Sequence, residues 1–352
     1  MIDVGLIGFG LAGRCFHAPV IRAVDGLRLS TILERTGDSA SHTFPDVRIV
    51  RTLDELLAIA SLRLMVIATP NQTHFSIAKR CLEAGRHVVV DKPFTTTVAE
   101  ALELLALAKA RGLLLTVYHN RRFDADYEAL RKTVTSGELG RIVRFENTYD
   151  RYRPAAKPGA WREQPSPGSG VLFDLAPHLV DQALVLLGWP LAVSADIRTE
   201  RLGFPTDDAF DLLFHYPHDS RALLRATMLA LSPRPRFLLL SEKGSFLKRD
   251  FDPLELTLRH TPLPAGASWL LEKEENYGEL TLVTEGGATE TRKVPSVGDW
   301  RDLYRNVRDA ILGKALPLVT PQQALDVMVA LELAVESSEK KGVALPWRSI
   351  QI

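Results

Sequence analysis

Lys92, Asp174 and His178 are three titratable residues whose positions in the sequence would suit acid–base chemistry. Lys92 follows an apolar run, between Asp91 and Pro93, and the proline turns the chain there because its φ is fixed. Asp174 and His178 are four residues apart in a predicted helix, so both lie on one face. A histidine can move a proton near neutral pH, and a lysine can stabilise a developing negative charge. The alternatives are a solvated lysine, a helix-capping aspartate and an exposed histidine.

A proline constrains where the helix of Asp174 and His178 begins. Pro177 is tolerated in a first helical turn, so we expect the helix to begin near Phe173 or Asp174. Residues 168–170, Gly-Ser-Gly, come just before it and would let the loop approach a ligand closely. As a general base near the helix start, His178 would titrate with an apparent pKa of roughly 6–8.

The first predicted strand runs into a glycine-rich turn. After apolar residues, the sequence reads Gly8-Phe9-Gly10-Leu11-Ala12-Gly13 and then becomes helical. Strand, Gly-x-Gly-x-x-Gly and helix in this order form the dinucleotide-binding fingerprint, in which the helix N-terminus receives the phosphates. Glu34 ends the next predicted strand, where a ribose-binding carboxylate is expected. An ordinary glycine-rich turn is the alternative.

Apolar strands alternate with helices from residue 2 to about residue 118. This alternation predicts a doubly wound parallel sheet of the α/β class. In such sheets, ligands bind outside the carboxyl ends of the strands. Four segments follow predicted strands, and we expect them to form one site: residues 8–13, 69–74, 91–93 and 118–122.

The pattern changes after residue 120. A loop rich in Pro and Gly, residues 153–170, leads into the Asp174 helix, and shorter alternating segments follow. Their spacing predicts an antiparallel sheet, and two helices end the chain. We therefore expect a dinucleotide-binding domain over residues 1–120 and an α+β domain over residues 121–352. At the junction, the polar run Asn120-Arg121-Arg122 could be only a linker, and so could Trp161-Arg162 in the loop.

Composition predicts a folded protein of two domains and argues against several partners. The 352 residues are 46% hydrophobic and 24% charged, and 43 basic residues balance 43 acidic ones. A formal net charge of zero gives no support for a nucleic-acid or membrane partner. No apolar run is long enough to span a bilayer, and a strand beginning at residue 2 leaves no room for a signal peptide, so we expect a cytoplasmic protein. Cys15, Cys81, His17 and His74 form no metal-ligand spacing, and we expect no metal.

Several segments of the first half, taken together, carry a family resemblance. They are residues 8–13, residues 68–71 with His74, residues 83–88, residues 91–93, and residues 168–172 followed by Asp174, His178 and Asp181. In this order they resemble the Gfo/Idh/MocA oxidoreductases. Residues 119–124, His-Asn-Arg-Arg-Phe-Asp, and 161–164, Trp-Arg-Glu-Gln, are similar to the subgroup that includes scyllo-inositol dehydrogenases. Two departures are mild: Asp91 where the family more often has Glu, and Ser169 where it has Gly.

The resemblance implies a fold, a cofactor and a site. The fold is an N-terminal Rossmann domain and a C-terminal α+β domain, whose large, mostly antiparallel open sheet makes a homodimer or higher homo-oligomer. The cofactor is NAD or NADP. Lys92, Asp174 and His178 would be catalytic and, with Tyr152, would bind the substrate. The residues expected at the cofactor are Gly8, Phe9, Gly10, Leu11, Ala12, Gly13, Glu34, Arg35, Thr69, Pro70, Asn71, His74, Asp91, Lys92, Asn120, Trp161 and Arg162.

The expected reaction transfers a hydride between the nicotinamide cofactor and a hydroxyl or carbonyl of a sugar or cyclitol. His178 would be the general base, Lys92 would stabilise the substrate oxygen, and Asp174 would orient the substrate. Glu34 would repel a 2′-phosphate and Arg35 would attract one, so we expect both cofactors to work, with NAD modestly preferred. The alternatives are a non-sugar carbonyl substrate, redox-assisted glycoside cleavage, and a dinucleotide sensor without turnover.

Overall fold

Two β-sheets organise the chain, one on each side of residue 120. A computed structural model describes residues 1–156, 159–261, 269, 272–295 and 298–352. The first sheet ends at Val117, and the second begins at Ile142. The two sheets therefore divide the described chain where the sequence pattern changes.

The first sheet has six parallel strands, which confirms the predicted doubly wound architecture. Its strands are β1 Ile2–Ile7, β2 Leu27–Leu33, β3 Arg48–Val50, β4 Leu62–Ile67, β5 His87–Val90 and β6 Leu115–Val117. Their order is β3-β2-β1-β4-β5-β6. The central strands are buried along nearly their whole length, because helices cover both faces of a parallel sheet.

Five helices connect these strands. They are α1 Ala18–Arg22, α2 Ser39–Thr43, α3 Leu53–Leu57, α4 His74–Glu83 and α5 Val98–Ala110. A turn of π-helix, Ala12–His17, links the glycine loop to α1. Pro19 lies in the first turn of α1, where its missing N–H costs no hydrogen bond.

The second sheet has nine strands and is antiparallel except for one neighbouring pair. The strands are β7 Ile142–Thr148, β8 Ala192–Arg198, β9 Ala209–His215, β10 Arg221–Thr227, β11 Phe237–Ser241, β12 Gly244–Lys248, β13 Gly278–Val283, β14 Thr289–Val294 and β15 Leu345–Pro346. Their order is β14-β13-β12-β11-β7-β10-β9-β8-β15, and β7 and β10 are the parallel pair. Residues alternate between buried and half-buried along β9 and β10, so helices cover one face and the other stays open. The predicted mostly antiparallel sheet is confirmed.

Helices of the second half pack on both sheets. They are α6 Ala125–Thr135, α7 Gly170–Leu187, α8 Leu254–His260, α9 Arg301–Ile311 and α10 Pro321–Glu339. Helix α7 packs on β9 and β10, and α10 packs on β8 and α7. Helix α9 instead returns to the first sheet, where Trp300, Leu303 and Tyr304 join the core around β1 and β2. The segment after residue 120 therefore completes the first domain as well as forming the second.

The expected start of α7 near Phe173 or Asp174 is wrong. The helix begins at Gly170, and Pro177 lies inside it. A tertiary contact sets the start, because the Asp207 carboxylate accepts the Leu172 N–H at 2.6 Å. A methyl group on Gly170 would lie 1.9 Å from that carboxylate, and its φ of +85° also favours glycine.

Helix α7 also qualifies the expectation about membranes. It is long and apolar enough to cross a bilayer by length and composition alone, as a single such helix in the described part of the chain. However, 67% of it is buried inside the protein, as in a core helix. The helix contains Asp174, His178 and Asp181, but the residues between them are apolar enough to give it the mean hydropathy of a membrane-spanning segment.

Candidate active site

The three glycines of the first loop have different surroundings. Gly8 has φ +97°, and a Cβ there would lie 2.6 Å from the carbonyl oxygen of Ala68. A Cβ on Gly13 would lie 2.1 Å from the carbonyl oxygen of Gly8, so Gly13 lets the helix pack against the strand end. A Cβ on Gly10 would meet no atom within 4 Å. The open space at Gly10, in front of the following helix, fits a dinucleotide pyrophosphate.

Glu34 lies at the end of β2, where a ribose-binding carboxylate was expected, but it already has partners. One oxygen accepts the Ala40 N–H at 3.0 Å, and the other accepts the Ser39 hydroxyl. The buried carboxylate of Glu34 therefore holds the start of α2, where the helix dipole favours a negative charge. Arg35 is exposed beside it.

The loop after β4 is held by its own polar side chains. The Asn71 amide donates to the carbonyl of Gly168 at 2.7 Å, which joins this loop to the segment before α7. The ring nitrogens of His74 lie 2.8 Å from the Pro93 carbonyl and 3.0 Å from that of Thr69. His74 has no accessible surface, so in this structure it supports the loop and offers no atom to a ligand.

Lys92 reaches across the two domains to Asp174. The turn that carries it is fixed by Asp91, whose carboxylate accepts the Lys92 N–H at 2.8 Å, and the peptide before Pro93 is cis. The Lys92 ammonium donates to the Asp174 carboxylate at 3.1 Å and also to its backbone carbonyl. The structure thus brings together two of the three residues proposed to be catalytic.

Asp174 is surrounded by cations. Its carboxylate lies 3.0 Å from Arg162 and 4.0 Å from Arg151, in addition to Lys92. Burial alone would raise the pKa of Asp174, but Lys92, Arg162 and Arg151 outweigh it and hold that pKa well below its usual range. Asp174 is therefore ionised at any pH at which the protein would be assayed.

His178 is buried, with 7% of its surface accessible. Burial and the positive charge of Lys92 lower its pKa well below the usual value of 6.5. The expectation of an apparent pKa of 6–8 is therefore wrong for this structure, because sequence spacing carries no information on desolvation. His178 is neutral at physiological pH, the form that can accept a proton.

His119 lies beside the same group of side chains. Burial lowers its pKa to about 4, so it is also neutral. Its Nε2 lies 3.9 Å from Asp181, and neither ring nitrogen has a hydrogen-bond partner among the described residues. His178 likewise has an unpartnered Nδ1 on its buried side.

The segment Asn120-Arg121-Arg122, for which a linker was the alternative, is buried and makes several polar contacts. Arg122 donates two hydrogen bonds to the Asp181 carboxylate of α7, from its Nε at 2.7 Å and from a second nitrogen at 2.5 Å. The Arg121 carbonyl accepts the side-chain amide of Gln182 at 2.8 Å. Asn120 is buried with them. The signal in the sequence was the polar stripe of an otherwise apolar helix, residues 174, 178 and 181, which has to meet polar partners.

Two loop residues have different positions relative to Asp174. Arg162 contacts it, with its guanidinium 4.4 Å from the centre of the Trp161 ring, so both residues lie beside the site. Tyr152 is 53% exposed and pairs with Leu229 as an isolated bridge. Successive side chains of an extended segment point to opposite sides, and Arg151 takes the side facing Asp174. The structure therefore gives Tyr152 no contact with the catalytic set.

No group of three or more His, Cys, Asp or Glu residues could hold a metal ion in the ranges that the structure describes. The site instead combines an open glycine loop with a lysine, an ionised aspartate and a neutral histidine. A Rossmann domain with this site at its carboxyl edge defines a dinucleotide-dependent oxidoreductase.

Comparison with known proteins names the family. Residues 2–119 match the model of an oxidoreductase family with an NAD-binding Rossmann fold, and residues 127–247 match the GFO/IDH/MocA C-terminal domain. The chain belongs to the Gfo/Idh/MocA oxidoreductases, so the resemblance seen in the sequence is confirmed, and with it an enzyme that binds NAD or NADP.

Relatives match over nearly the whole chain. The oxidoreductase YdgJ of Escherichia coli is 39% identical over 341 residues, covering 97% of each chain. The NADP(+)-dependent scyllo-inositol 2-dehydrogenase IolW of Bacillus subtilis is 35% identical and covers 97% of this chain and 94% of its own. The solved structure of yvaA from Bacillus subtilis superposes with a TM-score of 0.93 at 33% identity, covering 99% of this chain and 98% of that one.

Two glycine variants should separate ligand binding from folding. Gly10→Ala should leave the melting temperature nearly unchanged but weaken NADH binding at least tenfold, because its methyl group would occupy open space in the loop. Gly13→Ala should destabilise the fold by about 1–3 kcal/mol, the usual range for overpacking. Thermal melts and fluorescence titration with NADH measure both. Normal NADH binding by Gly10→Ala would contradict the assignment of that space to the cofactor.

The pH profile should report the lowered pKa of His178. As a base, His178 is active when neutral, so kcat/KM for oxidation should fall only as the pH drops below 6.5. His178→Asn should remove that limb and reduce turnover by about 10²–10⁴-fold. The measurement is a pH series at saturating cofactor. An acidic limb centred above pH 7 that disappears in His178→Asn would show that burial does not control this pKa.

Proposed function

We propose that this oxidoreductase oxidises a hydroxyl of a sugar or cyclitol, or reduces the corresponding carbonyl, with NAD or NADP. The contact of Lys92 with Asp174, beside neutral His178, carries the proposal. The names of three relatives support a sugar-like substrate: the scyllo-inositol dehydrogenase IolW, a levoglucosan dehydrogenase of Pseudarthrobacter phenanthrenivorans and a D-glucoside 3-dehydrogenase of Escherichia coli.

The side chains divide the work of oxidation between them. The substrate hydroxyl loses its proton to the accessible Nε2 of His178, because Nδ1 lies on the buried side. The Lys92 ammonium donates a hydrogen bond to the same oxygen and stabilises its developing negative charge. Asp174 orients Lys92 and accepts a hydrogen bond from a neighbouring substrate hydroxyl. The bound dinucleotide supplies the hydride acceptor or donor.

We propose that both cofactors are used, with NAD modestly preferred. The Glu34 carboxylate at the end of β2 disfavours a 2′-phosphate nearby. Exposed Arg35 acts in the opposite direction, since a guanidinium can pair with that phosphate. The Glu34 carboxylate already accepts hydrogen bonds from Ser39 and Ala40, so it is less available to a ribose hydroxyl. The preference for NAD over NADP is therefore small.

A cytoplasmic location is part of the proposal. Cys15 and Cys81 are both free and buried. Burial raises the pKa of the Cys81 thiol to about 12, so it stays protonated and unreactive. Buried, unpaired cysteines suit a reducing compartment.

A substrate panel with a lysine variant tests the proposed reaction. We expect cyclitols, aldoses or sugar lactones to change nicotinamide absorbance with NAD, and less efficiently with NADP. Lys92→Ala should still bind NADH but lose about 10²–10³-fold in turnover, the range for removing one oxyanion donor. Lys79→Ala, a surface lysine paired with Glu103, is the matched control. Bound NADH with no turnover of any panel member would favour a sensor, and near-normal turnover by Lys92→Ala would remove Lys92 from the mechanism.

We also propose a homodimer through the open face of the second sheet. A row of half-buried side chains crosses five neighbouring strands there: Leu213, Leu223, Glu146, Leu238 and Leu247. Four leucines in one row form an apolar strip that a second copy could cover.

The mass in solution tests this interface. Light scattering should give twice the 39.0 kDa of the chain, and Leu223→Glu should shift the protein to a monomer with its circular dichroism unchanged. Leu202→Glu is the control, because Leu202 is fully exposed in the loop after β8. A Leu223→Glu protein with the mass of the parent would exclude this face.

A further inference from the structure

The wall of the site around Asp174 carries more positive than negative charge. The nearest oxygens of this carboxylate lie 3.1 Å from Lys92, 3.0 Å from Arg162 and 4.0 Å from Arg151. One negative charge cannot neutralise three cations. The surplus lies where the substrate would bind, because Lys92 would hold its reacting oxygen and Asp174 would hold a neighbouring hydroxyl.

Arg153 adds a fourth cation on the same side. It makes no ion pair or side-chain hydrogen bond with the residues that the structure describes. The Arg151 N–H donates to the Thr227 carbonyl at 2.9 Å, and the Arg153 N–H donates to the Met228 carbonyl at 2.7 Å. Side chains two residues apart in such an extended segment lie on the same side, so the exposed guanidinium of Arg153 follows that of Arg151. Arg151 thus shares the Asp174 carboxylate with Lys92 and Arg162, and Arg153 beside it has no carboxylate partner among the described residues.

Other carboxylates near this segment already have partners. Glu163 lies 3.2 Å from Arg201, and Asp150 is paired with Arg234. Glu255 contacts both Arg259 and Arg121, so it has no charge to spare for Arg151 or Arg153. The residues outside the described ranges include no Asp or Glu, so they add no negative charge. A bound anion would relieve the repulsion that this arrangement leaves.

We propose that the natural substrate is an anionic sugar or cyclitol, bearing a carboxylate or a phosphate, and that Arg151 and Arg153 bind this group. This rests on the proposed function, because the hydroxyl to be oxidised would lie at Lys92 and His178. Guanidinium groups match the oxygens of carboxylates and phosphates with two parallel hydrogen bonds. A neutral polyol leaves both cations uncompensated.

The cofactor phosphates do not account for this pair. The pyrophosphate fits the open space at Gly10 and the helix that follows, on the first domain. Arg259, 5.7 Å from the ring centre of Phe16, lies closer to that helix. Arg151 instead comes from the second domain and lies 4.0 Å from Asp174, at the end of the site where hydride transfer would take place. Arg153 lies on the same side of the segment as Arg151.

Matched substrates test the proposal. A neutral hexose or cyclitol is compared with its uronate and its phosphate ester, with the same skeleton and cofactor. At least one anionic member should exceed the neutral one in kcat/KM by about tenfold or more at low salt, and this ratio should shrink as ionic strength rises. The uronate and phosphate arms show which anion fits better.

Two variants separate the anion site from its surroundings. Arg153→Gln should lower the ratio of anionic to neutral kcat/KM about tenfold, chiefly through the KM of the anion, and leave the Kd for NADH unchanged. Arg141→Gln, a surface arginine paired with Glu242, should leave the ratio unchanged. If Arg153→Gln instead weakens NADH binding, these cations serve the cofactor and the proposal is wrong.

The remaining outcomes distinguish this proposal from the proposed function. Turnover of neutral and anionic members with equal kcat/KM would overturn the anionic substrate and leave the oxidoreductase reaction intact. No turnover of any member would count against the proposed function. In that case the melting temperature of the NADH-bound protein still decides: a rise with uronate or sugar phosphate that Arg153→Gln abolishes supports the anion site, and no rise overturns it.

Discussion

The arrangement of the site depends on one carboxylate that joins the two domains. Asp174 belongs to α7 of the second half, and it holds the ammonium of Lys92, which follows a strand of the first sheet. Its half-buried carboxylate is the charge that Lys92, Arg162 and Arg151 share, so removing it would leave three neighbouring cations without their common partner. The same contact that positions the chemistry therefore also fixes the distance between the first sheet and α7.

Asp174 and His178 of α7 lie in the same positively charged environment but take different protonation states. The cations keep Asp174 ionised, and burial together with Lys92 keeps His178 neutral. An ionised acid and a neutral base four residues apart can bind and accept a proton without competing for it. Such assignments follow from environment rather than residue type, as in other enzymes with paired titratable groups.

Much of the architecture was predictable, because its signals are local. Glycine spacing after β1 and the strand–helix alternation specified the first sheet, and a four-residue spacing placed Asp174 and His178 on one face. The start of α7 was not predictable, since Asp207, more than 30 residues further along the chain, caps it. The role of Arg122 was not predictable either. The sequence does not distinguish a solvated arginine at a domain junction from a buried one that donates to Asp181, as Arg122 does. The lowered pKa of His178 likewise depends on burial by distant elements.

The return of α9 to the first sheet has a consequence for how the gene can be divided. Trp300, Leu303 and Tyr304 fill the core beside β1 and β2, and the Tyr304 hydroxyl lies 2.7 Å from His17, whose other nitrogen is 3.9 Å from Asp91. A fragment ending at residue 120 would expose the seat of these side chains, each worth about 1.5–3 kcal/mol of burial. The dinucleotide-binding segment, residues 1–120, is thus not a module that can be cut out or recombined by itself. Synthesis must reach the last sixth of the chain before this segment has its complete core.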